Sequence, residues 1–91
     1  MHSPLHSATK QGFTEIVKLL IEYGTSLNIQ DDEKQTPLHV ASKDGSTEIV
    51  YLLLENNAST NIKNVKYQTA FDITMEKNHK KIIRMIHEKN S

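Results

Sequence analysis

The apolar residues of this chain come in short bursts at helical spacing, each closed by a glycine or an asparagine. In "TEIVYLLLENN" (residues 47–57), Ile49, Leu52 and Leu53 recur as one side of a helix requires. A shorter burst precedes it. Leu38, Ala41 and the small residues near them make one apolar face, and Lys43 and Asp44 end it on polar ground. Thr36 offers a side-chain oxygen to the free amides of a first turn, and Pro37 follows at the first helical position, where a missing N–H costs nothing. Gly45, between the bursts, supplies the left-handed residue that stops a helix. The pattern predicts two short antiparallel helices followed by an extended link.

That unit occurs three times. Aligning Ser3 with Thr36 and Thr69 gives a step of 33 residues each time. The first two copies share Pro4/Pro37, Leu5/Leu38, His6/His39, Ala8/Ala41, Gly12/Gly45, Leu19-Leu20/Leu52-Leu53, Asn28/Asn61 and the block Glu-Ile-Val at 15–17 and 48–50. The third copy, "QTAFDITMEKNHKKIIRMIHEKN", keeps the apolar positions and changes the rest. Asn78 stands in for the first stop, and Gly24, Asn57 and Asn90 are expected to close the second helices. One helix pair cannot bury its apolar surface alone, whereas stacked neighbours can. The stack predicts that Leu20, Leu53 and Ile86 share one buried seam.

"SPLHSA" and "TPLHVA", each followed by a glycine and "TEIVxLL", resemble the ankyrin repeat in both period and signature. The resemblance covers the whole chain. It implies an all-α solenoid of helix-turn-helix pairs joined by β-hairpin-like links, one array over residues 1–91 with repeats of about 1–35, 36–68 and 69–91. The third repeat is similar to a C-terminal cap: His87 replaces Ile21 and Leu54, and Lys80, Lys81 and Arg84 charge the same helix, as an outer side without a successor requires. The array is therefore expected to end near Ser91. At the front, Met1 aligns with Lys34 in mid-link, which predicts an array cut from a longer one or trimmed. Ser7, where repeat two has Val40, favours instead a solvent-facing start. The family places glycine at the link tips, but Lys34 and Tyr67 stand there. A positive φ is costly for such residues, so the tips are expected to be rearranged, most of all at Tyr67.

Ninety-one residues make one small domain. There is no cysteine, which excludes a disulfide framework and a thiolate zinc site. The longest apolar runs, "IVKLLI" and "IVYLLL", are far short of the roughly 20 residues that span a bilayer, and no signal peptide is visible. The expectation is an intracellular protein, cytoplasmic or nuclear. The 11 basic and 11 acidic residues balance, but unevenly: five Lys face eight acids up to Val65, and six basic residues face three acids from Lys66 onward. Weak binding of nucleic acid or acidic lipid through Lys77, Lys80, Lys81, Arg84 and Lys89 is one alternative, and a solvated face is the simpler reading.

Five histidines invite a metal or a catalytic base. His6 and His39 recur in a recurring context, which packing explains better than catalysis; the resemblance implies hydrogen bonds locally and to the neighbouring repeat. His2 and His6 have a metal-capable spacing, but His2 precedes the cap and no third ligand has a defined spacing. His79 and His87 are assigned to the surface. Glu15 and Glu48 lie early in second helices, where negative charge suits the helix dipole. There is no phosphate-cradling glycine run, nucleophile elbow or "HExxH", and no Trp for a base-stacking platform. No catalytic residue, metal site or cofactor is expected. In some ankyrin proteins the asparagine equivalent to Asn28 or Asn61 is hydroxylated; Leu20 and Leu53 fit that pattern and Ser26 and Ser59 do not, so turn stabilisation by the side-chain amide is preferred.

If recurring positions serve packing, function belongs to those that differ. Lys10-Gln11, Lys43-Asp44 and Glu76-Lys77 occupy one place with different charges, and the links "DDEKQ" and "NVKYQ" differ likewise. In ankyrin arrays these sets line a concave face. That implies a protein-binding surface of His2, Lys10, Gln11, Asp32, Glu33, Gln35, Lys43, Asp44, Val65, Lys66, Tyr67, Gln68, Glu76 and Lys77, with Tyr67 as anchor. The expected function is a non-enzymatic interaction module for a partner protein, with no small-molecule substrate, monomeric unless its N-terminal end is uncapped. The alternative is an architectural fragment or spacer of a larger multi-repeat protein.

Overall fold

In a computed structural model, which describes residues 3–90, the chain forms six helices and, among those residues, no strand. They are α1 (Pro4–Gln11), α2 (Thr14–Glu22), α3 (Pro37–Asp44), α4 (Thr47–Glu55), α5 (Ala70–Lys77) and α6 (Lys80–Asn90). None is long and apolar enough to cross a membrane.

The helix starts follow from the predicted caps, with an addition. The hydroxyls of Ser3, Thr36 and Thr69 accept the N–H of the third helical residue, and that residue's side chain (His6, His39 or Asp72) accepts the cap's own N–H in return. Two amides that a helix start leaves orphaned are thus satisfied each time. Pro4 and Pro37 stand in the first turn as expected. Gly12, Gly45 and Asn78 stop α1, α3 and α5 in the left-handed conformation, at φ of 75°, 71° and 59°. Gly24 and Asn57 do the same after α2 and α4, at φ of 82° and 66°. Asn90 does not: α6 runs through it.

Packing arranges the helices in two rows. In one, α3 lies between α1 and α5; in the other, α4 lies between α2 and α6; and each pair is tied across the rows. The core runs through the stack as one cluster, from Leu5, Ala8 and Val17 through Leu38, Ala41, Ile49, Val50, Leu53 and Leu54 to Ile82 and Ile86. Leu53 and Ile86 are fully buried and Leu20 is half-buried against the same cluster, so the expected seam exists and thins at its first member. In the row of Ile21, Leu54 and His87, burial rises to Leu54 and ends at an exposed His87.

The links are tight turns stitched to one another. Asp31 Oδ1 accepts the N–H groups of Glu33 and Gln35, both at 2.9 Å. Asn64 Oδ1 accepts those of Lys66 and Gln68 at 2.9 and 3.0 Å. Lys34 and Tyr67 take φ of 59° and 60° inside these turns. The sequence-based expectation of rearranged tips is thus corrected. Two bonds from one carboxylate or amide, plus the Lys34 and Tyr67 N–H groups donating to Asp31 and Asn64 carbonyls at 2.9 Å, hold the backbone where glycine usually sits.

Candidate functional site

The recurring histidines sit where the two rows meet the links. His6 Nε2 lies 2.7 Å from the Gln35 carbonyl oxygen, and His39 Nε2 lies 2.9 Å from that of Gln68. A carbonyl only accepts, so both rings carry the proton on Nε2 and receive the cap's N–H on Nδ1. Both rings are buried. Burial holds the His39 pKa below its ordinary 6.5, against the opposing pull of the Gln68 carbonyl, the Asp31 charge and the Ile62 carbonyl. Each histidine therefore joins one repeat's first helix to the end of the following link. In the third unit Asp72 holds the cap alone.

Asn28 also works between units: its Oδ1 accepts the N–H of Ser59 at 2.9 Å. Link-to-link bonds complete the stitching, with Val65 N–H donating to the Glu33 carbonyl at 3.0 Å and Gln30 Nε2 reaching the Lys34 and Lys63 carbonyls. His79, expected on the surface, is half-buried: its ring covers Gly45, and Nε2 lies 3.3 Å from the Lys43 carbonyl oxygen. His87 is exposed.

Eight of the predicted surface residues surround one hollow of about 170 Å³: Glu33, Gln35, Lys43, Val65, Lys66, Gln68, Glu76 and Lys77. It lies where the two links pass over the ends of α3 and α5. Its lining also includes Ile73 and Asn64, both buried, which sequence reasoning did not single out. Asn64 Nδ2 bonds the Gln68 and Gln35 side-chain oxygens at 3.1 and 3.4 Å, and Gln68 Nε2 donates to Glu76 Oε2 at 3.0 Å. This relay joins four polar side chains in the wall. Three lysines and two glutamates stand around it, a mixed field with a slight positive excess.

The remaining predicted residues lie outside the hollow. Lys10 and Gln11 end α1, and Asp44 ends α3, all exposed; Asp32 and Tyr67 lie exposed at the link turns. Tyr67 is 80% exposed, so its ring is available and unsupported by the core. His2 lies outside the described residues. The side-chain oxygens of Asp31 and Asn64 at the 33-residue step were the signal that could have found the link turns; the relay needs the amide nitrogen that only Asn64 has.

The family model described as ankyrin repeats (3 copies) matches residues 2–64. The comparison with curated proteins returned no match.

Proposed function

The chain belongs to the ankyrin-repeat family, and from that premise we propose that it binds a partner protein through the concave face made by its links and by α1, α3 and α5. Ankyrin repeats are generally protein–protein interaction modules and typically non-enzymatic. The observation that carries the finer reading is the gathering around one hollow of six residues that change from unit to unit, Glu33, Lys43, Val65, Lys66, Glu76 and Lys77, together with the recurring Gln35 and Gln68, while most other recurring residues are spent on caps and core. Repeats of about 1–35, 36–68 and 69–91 form the scaffold, and the face extends from Lys10 and Gln11 through Asp32 and Asp44 to Tyr67, Glu76 and Lys77.

Within the face, Val65 (50% exposed) and Tyr67 give apolar contact, and the Gln35–Asn64–Gln68 wall gives fixed hydrogen-bonding groups. Rigid polar groups lose little freedom on binding, and an exposed aromatic is the side chain most often found as a hot spot.

The test uses peptides selected from a displayed library on the immobilised chain. Tyr67→Ala should weaken the selected peptides by about 2 kcal/mol, and adding Glu33→Ala should weaken them further, with helical circular dichroism unchanged. Peptides that bind equally well to the double variant refute the assigned face.

A further inference from the structure

Gln35 and Gln68 end successive links 33 residues apart, yet their side chains are matched differently. Gln68 Nε2 donates to Glu76 Oε2 at 3.0 Å, reaching from the link to the last turn of α5. The same place in α3 holds Lys43, and an ammonium group cannot accept. Gln35 therefore lacks the acceptor that Gln68 has. Among the described residues no other takes its place.

The Gln35 amide is oriented by what surrounds it. Asn64 Oδ1 takes the N–H groups of Lys66 and Gln68, which turns Nδ2 toward the two glutamines. Nδ2 only donates, so Gln35 meets it with Oε1, at 3.4 Å, and its own Nε2 is left over. Asn64 is buried, which keeps water from competing for this arrangement.

Gln35 and Lys43 line the hollow beneath the links together with Lys66 and Lys77. Gln35 Nε2 and the three ammonium groups are all donors. The hollow has two carboxylates of its own, but Gln68 holds Glu76, and among the described residues no ion pair ties either glutamate to a lysine. Three ammonium groups against two carboxylates leave one positive charge.

We propose that the hollow receives a carboxylate side chain, Glu or Asp, of the partner protein, held between Gln35 Nε2 and Lys43 Nζ. The inference rests on the concave-face reading and deepens it by naming what the partner brings. The molecule carries its own pattern for the contact. Where a unit has a carboxylate at this place, a glutamine amide bonds it; where the unit has lysine, the carboxylate comes from outside. A single charge fits the excess of one, which a phosphate monoester, at about −1.5 to −2 near neutral pH, would exceed. Hydrogen bonds to an ionised group are stronger than neutral ones, and Val65 and Ile73 offer apolar contact to the methylene stem. Glu33 is left to accept from the same partner segment.

The peptides selected on the immobilised chain supply the test. They should share a Glu or Asp, and changing it to Gln or Asn should weaken binding about tenfold, whereas amidating the peptide's C-terminus should change nothing. Lys43→Glu, borrowed from the third unit, should give Gln35 a carboxylate of its own. The acidic peptide should then lose about tenfold and its amide counterpart should not, while Lys43→Arg should keep the preference for acid. In proton–nitrogen correlation spectra the Gln35 side-chain amide should move downfield with the acidic peptide only. Peptides without a shared acid, equal binding of the acid and amide versions, dependence on the C-terminal carboxylate instead, or an unchanged preference in Lys43→Glu each overturns the proposal. If Tyr67→Ala weakens those same peptides, the concave face stands without it. A library that yields no peptide removes both readings.

Discussion

His39 shows how one residue links local geometry to stability. Its Nδ1 receives the Thr36 N–H at 3.0 Å, and its Nε2–H donates to Gln68, so a second ring proton, on Nδ1, would face the Thr36 N–H and displace a bond already made. The folded pKa is lowered from 6.5, chiefly by burial. Between the folded and unfolded values the unfolded chain binds more protons, so stability rises with pH there. The contribution of neutral His39 is complete above pH 6.5 and is lost as pH falls below it toward the folded value. Urea unfolding at a series of pH values should therefore show stability declining on the acid side of that point, and His39→Gln should flatten the decline. A decline of equal slope in the variant would place its origin elsewhere.

At the scale of the element, the short helices depend on how each is stopped. Gly12 and Gly45 end α1 and α3 with the same left-handed φ, yet their surroundings differ. A Cβ on Gly12 meets nothing within 4 Å, whereas one on Gly45 would lie 2.9 Å from His79 Cε1. Gly12→Ala should cost about 1–2 kcal/mol for the backbone alone. Gly45→Ala should cost more, because the His79 ring must also move off the Lys43 carbonyl; thermal denaturation of the two variants side by side measures the difference. The helices themselves were legible in the sequence because caps, prolines and stops act locally and recur. The link tips were not. A rule about one residue's φ condemned Lys34 and Tyr67, while the bonds from Asp31 and Asn64 that support them come from three residues earlier. The hollow was half legible: its exposed members differ between repeats and so stood out, but Asn64 and Ile73 read as link and core.

For the whole molecule, the cluster running from Leu5 to Ile86 makes the three pairs one cooperative body. Leu53, fully buried in the middle pair, tests this. Leu53→Ala should cost about 2–5 kcal/mol and shift the melting of the entire array as a single transition, read by calorimetry against circular dichroism. Two separated transitions would mean that the outer pairs hold on their own. The bonds that join the pairs also bear on how such an array changes over generations. His6 and His39 each reach for a peptide oxygen, not for a side chain, at positions 35 and 68. Every amino acid carries that oxygen. Those two positions can therefore vary in what they show to the outside while the join behind them stays the same, so that new specificities need not be weighed against the integrity of the stack.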